Sequence, residues 1–160
     1  MTAARLGFII GALSVPRRDT GYLRCTDPRP PSPPPPPPLM SPDKANLTEK
    51  FAAFNEHWSP KIVAELNGQQ VKLSKFKGPF IWHQHEHEDE MFLVHRGSFR
   101  MEFRDRTVTL NAGDFLVVPR GVEHRPVADE EVHVVLFEPA GTVNTGNVRD
   151  ARTIENPARL

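Results

Sequence analysis

The sequence predicts an all-β fold, a compact sandwich or barrel of short strands, on three observations. Runs of four to seven β-favouring residues recur between Ile62 and Glu138, turn residues interrupt them at regular intervals, and no segment between them carries a helical period. The alternation is explicit where Phe99, Met101 and Phe103 face one way and Arg100, Glu102 and Arg104 the other. Such a strand looks at an apolar interior on one side and at water on the other.

The elements follow in chain order. Asn46 with Glu49 three residues later is a helix-start signal, and Phe51, Ala52 and Phe54 continue it on one face. The expected helix runs to about His57 and is ended by Ser59-Pro60. Ile62–Asn67 and Val71–Phe76 flank Asn67-Gly68, the strongest local signal for a β-hairpin. After Gly78-Pro79 come Phe80–His85, Met91–His95, Ser98–Arg104, Thr107–Leu110, Phe115–Val118, Glu123–Val127 and Val132–Glu138. Arg96-Gly97, Asp105-Arg106, Ala112-Gly113-Asp114 and Pro119-Arg120-Gly121 supply the turns between them. The predicted barrel therefore occupies residues 46–140, and 141–160 form a tail that either folds back as a loop and short helix or frays.

Residues 1–42 stand apart. Nine of the eleven residues 28–38 are proline, a composition that donates few backbone hydrogen bonds and favours an extended, disordered spacer. The same tract is also the kind of segment an SH3-type partner reads. Ahead of it, Arg5 and the apolar stretch Leu6–Val15 resemble a weak secretory signal, but Pro16-Arg17-Arg18 stands where small residues for cleavage belong. Translation beginning at Met40 is the alternative expectation, because nothing upstream has the patterning of a core.

Composition narrows the function classes. The 160 residues carry 20 Lys+Arg against 20 Asp+Glu, so no overall charge favours nucleic acid or an anionic membrane. The single cysteine excludes an intramolecular disulfide framework and any cysteine-rich zinc or iron–sulfur site, and leaves the cytoplasm as the default compartment. No apolar run approaches the roughly 18 to 20 residues that span a bilayer.

The chemistry concentrates in histidine. Four of the seven histidines lie between His83 and His95, among Glu86, Glu88, Asp89 and Glu90. A solvated charged loop is the plain reading of such a run, and two features oppose it. His83 and His85 stand two apart on an expected strand and so share a face with Ile81, where buried imidazoles need partners. Glu90 opens the next strand, and an inward carboxylate beside two imidazoles calls for a positive charge that a divalent metal supplies. His124, just past Pro119-Arg120-Gly121, offers a fourth group. Three imidazoles and one carboxylate suit Fe, Mn, Ni, Cu or Zn, and an octahedral ion so held keeps two positions open.

These residues carry a family resemblance. His83-x-His85, four residues, Glu90, six residues and Gly97 match the first half of the cupin pattern, H-x-H-x3–4-E-x6-G. Gly113, five residues, Pro119-Arg120-Gly121, two residues and His124 match its second half, and the fifteen residues 98–112 between the halves resemble the spacing of small microbial cupins. Gly78 is one residue too close to His83, and Ala128 stands where the pattern ends in Asn. The chain thus resembles the small single-domain cupins labelled mannose-6-phosphate isomerase-like. The resemblance implies a jelly-roll (double-stranded β-helix) barrel, metal ligands at His83, His85, Glu90 and His124, and a homodimer in which outward Trp82 and Leu93 would be contact residues.

Other residues have competing roles. His85 and His87 with Glu90 form an alternative ligand set, since His87 is also two residues from His85. His95 and His133 read as surface or core-edge residues, and Trp82 as packing. Glu86, Glu88 and Asp89 would keep anions from the mouth, with Arg100, Arg104 and Arg106 as their counter-charges.

The functional expectation is a metal-binding domain for a small polar ligand, without nucleic-acid or membrane partners. The metal would either polarise a carbonyl or enediol for isomerisation or hold substrate and dioxygen for oxidation. A non-catalytic ligand-binding or structural module is the alternative. Affinity for metal is expected to fall below about pH 6.5, the free-histidine value.

Overall fold

The computed structural model describes residues 44–160. The proline-rich spacer, the stretch Leu6–Val15 and the alternative start at Met40 lie outside the described residues.

Helix α1 (Leu47–Ala52) begins where the sequence places it. Asn46 is extended (φ −97, ψ 118), and its side-chain oxygen accepts a hydrogen bond from the Glu49 backbone N–H at 3.2 Å. That bond satisfies one of the free donors of the first turn. The helix ends at Ala52 and not near His57. Beyond it the backbone is taken up by the sheet: His57 bridges Lys75, and the Trp58 N–H donates to the Lys75 carbonyl at 2.8 Å. Tertiary pairing here outweighs helix propensity.

Seven strands follow: β1 (Lys61–Leu66), β2 (Gln69–Pro79), β3 (Glu90–Arg96), β4 (Ser98–Phe103), β5 (Thr107–Asn111), β6 (Phe115–Val118) and β7 (His124–Pro139). All their pairings are antiparallel, in the order β1-β2-β7-β3-β6, with β4 joining β5 and β7. Between β1 and β2, Asn67 (φ 51) and Gly68 (φ 77) both adopt the left-handed region that a tight two-residue hairpin turn requires.

Two differences from the expected strands matter for function. Glu123–Val127 and Val132–Glu138 are parts of one sixteen-residue strand, β7. The charged run Asp129-Glu130-Glu131, left between the two expected strands, continues the strand with its side chains in water. β7 pairs with β4 through His124–Val127 and with β3 through His133–Phe137, while β2 pairs with it from Val127 to Pro139. It is therefore the strand that joins the two halves of the jelly-roll.

Phe80–His85, in contrast, is no ladder strand. It is an extended crossing whose backbone groups are shared among several neighbours. His83 and His124 exchange backbone hydrogen bonds of 3.1 and 2.9 Å, Phe80 N–H donates to Pro126 O, and His85 O accepts from Gly121 N–H. Gln84 N–H donates to Asn147 Oδ1 and Gln84 O accepts from Asn147 N–H. Buried backbone groups are thus satisfied without a regular sheet.

Alternation sorts the side chains as predicted. Phe76, Phe92, Val94, Phe99, Met101, Phe103, Leu110, Val132, Val134 and Leu136 fill the interior. On the opposite face of β2 and β7, Leu73 and Val135 pack against Phe51 and Phe54, so α1 lies on the outside of the sheet. The tail folds back without a helix. Ile62 N–H donates to Ala158 O, Leu160 N–H donates to Ile62 O, and Asn144 bonds the carbonyls of Trp58 and Arg152.

Gly146 is where the tail meets the histidine segment. At φ +52, a Cβ there would stand 2.2 Å from the Gln84 carbonyl oxygen. Gly146→Ala is expected to destabilise the domain by about 2–4 kcal/mol, measured by urea denaturation, through combined backbone strain and clash. An unchanged midpoint would show that the tail is not pressed against Gln84.

Candidate metal centre

The four groups singled out in sequence come together. His83 and His85 project from the crossing segment, Glu90 opens β3 and His124 opens β7. One ligand atom from each lies within 4.8 Å of every other. All four side chains are buried, at 3, 5, 5 and 0 % exposure.

The local folding explains their aim. His83 Nδ1 lies 3.1 Å from the carbonyl of Ile81, and His124 Nδ1 lies 2.9 Å from that of Val122. A carbonyl only accepts, so each Nδ1 carries the proton and each Nε2 presents a lone pair. Both histidines thus use the carbonyl two residues upstream to fix tautomer and ring plane, the arrangement that orients imidazole ligands. His85 Nε2 approaches Glu90 Oε2 to 3.2 Å, and His124 Nε2 approaches it to 3.8 Å. None of these three buried atoms has a hydrogen-bond partner. Buried polar atoms are rarely left so, and three converging on one point fit a cation between them.

Electrostatics agree with that fit. Burial, reinforced by the neighbouring His124, lowers the His83 pKa to about 4. Burial also lowers His124. For Glu90, burial pushes upward, but the close approach of His85 and the adjacent imidazoles outweigh it, leaving the carboxyl below its usual range. Burial thus favours neutral rings at His83 and His124 beside an anionic Glu90, the protonation that metal coordination needs.

His87 does not join them. It is exposed, 3.9 Å from Glu86, so the alternative His85/His87 set is not assembled. His95 and His133 stack on Phe51 at 5.4 and 4.4 Å, at the core edge as expected. The arginines choose different partners from those expected. Arg100 pairs with Asp129, Arg104 with Glu123 and Arg106 with Asp105, while Asp89 is held by Arg120. Trp82 lies beneath Arg104, whose guanidinium is 3.9 Å from the ring centre, with Arg125 at 5.0 Å.

Two residues beside the cluster were missed in sequence. Glu138 and Lys72, 2 and 1 % exposed, form an ion pair of 2.8 Å. Lys72 also donates to Thr142 O at 3.0 Å. Burial and then the nearby Glu90 carboxylate push the Glu138 pKa well up, and its Oε2 is without a partner. The sequence does hold a signal: Glu138 shares the inward phase of Val132, Val134 and Leu136.

Two spaces adjoin the cluster. An apolar cavity of ≈ 30 Å³ touches His83 and Glu90 and is walled by Trp58, Phe76, Phe80, Phe92 and Leu136. A wider polar hollow of ≈ 520 Å³ lies against His85, with Glu86, Glu88, Asn147 and Arg149 around it.

Comparison with known proteins extends this picture. The family described as Cupin domain matches residues 75–138. A solved cupin-2 domain containing protein from Shewanella frigidimarina NCIMB 400 is 47 % identical, with a TM-score of 0.59, over 59 % of this chain and 93 % of that one. A solved protein from Neisseria meningitidis is 32 % identical, with a TM-score of 0.57, over 61 % of this chain and all of that one. The Bacillus subtilis (strain 168) protein YdbB, described as uncharacterized, is 39 % identical over 64 residues. That match takes in 39 % of this chain and 57 % of YdbB.

Two outcomes follow from the buried charges. Lys72→Met strands Glu138 without its cation and is expected to cost about 3–5 kcal/mol, whereas Lys72→Met with Glu138→Leu should recover most of that loss in chemical denaturation. An additive double variant would contradict the pairing. His83 and His124 bind protons more weakly folded than unfolded, so their contribution to stability is present above about pH 6.5 and is lost as pH falls toward the His83 value of about 4. Chelator-treated protein unfolded at a series of pH values should show this decline, and a flat profile would contradict it.

Proposed function

Because this chain belongs to the cupin superfamily, we propose that it holds one divalent transition metal, Fe, Mn, Ni, Cu or Zn, through His83, His85, Glu90 and His124 and presents it to a small polar ligand. The observation that carries this reading is the convergence of the unpartnered His85 Nε2, Glu90 Oε2 and His124 Nε2 in a buried cluster. Three neutral nitrogens and one oxygen satisfy four positions, and an octahedral ion retains two for a ligand.

When bound, the metal supplies Lewis acidity toward a ligand oxygen, suited to isomerising a carbonyl or to an oxidation with dioxygen. The chain's own part is to hold and insulate. The Ile81 and Val122 carbonyls keep the Nδ1 protons in place, Glu90 provides the balancing charge, and the aromatic walls exclude water on one side. The wide hollow at His85 is the proposed approach for a polar ligand, and its Asn147 and Arg149 would meet ligand oxygens. A second reading, a binding module without turnover, is favoured by the small space of ≈ 30 Å³ beside His83, which leaves little room for a substrate group.

A homodimer is part of the proposal. Trp82 and Leu93 are half-buried in the chain, Trp82 by arginines and Leu93 beside Phe51 and Val135. Phe115 and Val117 on β6, 67 and 48 % exposed, are the better candidates to meet a second copy. No helix among the described residues is long and apolar enough to cross a membrane.

Purification in the presence of Fe(II), Mn(II) or Zn(II), followed by elemental analysis, tests the central claim. Wild type and His87→Ala should each retain about one metal per chain, and His124→Ala should lose affinity at least about tenfold while circular dichroism shows a folded barrel. Equal metal content in wild type and His124→Ala would refute the ligand set. Metal uptake without turnover on aerobic panels of sugars, keto acids and aromatics would select the binding module.

A further inference from the structure

Trp58 is the least relaxed residue near the cluster. Its φ of 58 places a bulky aromatic in the left-handed region, where such residues seldom occur. Several contacts hold it there. Its N–H donates to Lys75 O, its indole N–H donates to Lys77 O at 2.9 Å, and its own carbonyl accepts from Asn144 of the tail at 3.3 Å. The indole stacks on Phe76 at 4.5 Å and on Phe80 at 4.8 Å. Backbone strain maintained by surrounding structure is characteristic of ligand sites.

The consequence of this conformation is a wall. The indole, with Phe76, Phe80 and Phe92, lines the apolar cavity that His83 and Glu90 open onto. At ≈ 30 Å³ that space admits a methyl or ethyl group. An apolar cavity that accepts benzene measures about 150 Å³. The lining of this small cavity offers no charged group besides His83 and Glu90, since Ser74 and Asn144 are its other polar side chains apart from the committed indole of Trp58.

We propose that Trp58 is a specificity-determining residue that limits the ligand of this centre to short chelators, two adjacent oxygens carrying an apolar group no larger than ethyl. This deepens the metal-centre reading and rests on it. The oxygens bind the metal, and the apolar substituent enters the cavity against the indole. Trp58 touches no metal ligand atom by hydrogen bond, so it sets ligand size while leaving the cluster intact.

Hydroxamates test this directly, because acetohydroxamate and benzohydroxamate share one chelating head and differ in methyl against phenyl. The Zn(II)-loaded full chain is titrated with each by calorimetry, after metal content is measured. Wild type should bind acetohydroxamate at least about tenfold more tightly than benzohydroxamate, and Trp58→Ala should narrow or invert that ratio by strengthening benzohydroxamate binding. Trp58→Phe, which keeps a stacking ring should the alanine variant fail to fold, should give an intermediate ratio. In a Trp82→Phe background, acetohydroxamate should also change the emission of Trp58, the remaining tryptophan. Full metal loading with equal affinities in wild type, or a ratio unmoved by both substitutions, overturns the role of Trp58 alone. Failure to load metal overturns the underlying reading as well.

Discussion

The structure is organised around one electrostatic constraint: three imidazoles and a carboxylate lie buried together in a β-barrel. Glu90 is 5 % and His124 0 % exposed, and their facing atoms have no hydrogen-bond donors of their own. Such a cluster is tolerable only with neutral rings and an anion stabilised by its neighbours. The chain meets those conditions with main-chain carbonyls at Ile81 and Val122, not with further acidic side chains. Because these acceptors lie two residues upstream of His83 and His124, each ring is aimed by its own local backbone.

Around this centre, regular and irregular structure share the work. The strand ladders build the apolar interior, and the segment bearing His83 and His85 leaves the ladder to cross over it. Its backbone is satisfied by β7, by Gly121 and by Asn147 of the tail. The tail also fixes Trp58 through Asn144 and receives the Lys72 ammonium at Thr142. Residues 141–148 therefore brace the histidine segment, the aromatic wall and the buried Lys72–Glu138 pair at once.

Much of this was legible in the sequence for identifiable reasons. Strand alternation at Phe99–Phe103, the Asn67-Gly68 turn and the Asn46 cap are local signals, and each forms as expected. The four clustered residues were legible because the two motif halves fix their spacing. Competition between local and long-range bonding hid the rest. α1 stops at Ala52 because Trp58 is claimed by β2, and Phe80–His85 leaves the ladder because the tail takes the Gln84 backbone. The charged run 129–131 separates two expected strands, yet one strand carries it through water. Lys72 and Glu138 were missed because each resembles an ordinary surface charge until the pairing of β2 with β7 sets them side by side. Trp58 offered no signal at all, since its conformation follows from hydrogen bonds to Lys75, Lys77 and Asn144, all distant in sequence.

The paired backbone bonds between His83 and His124 carry one further consequence. Many small metalloproteins acquire their shape only when the ion arrives, so that loading and folding are one event. Here a closed apolar core and a main-chain clasp already set the donor atoms in place, which makes the cage rigid before any guest enters. An incoming ion would meet little conformational entropy cost, and its affinity would shift the folding equilibrium by simple mass action without creating the fold. Such a host would exchange one ion for another without coming apart.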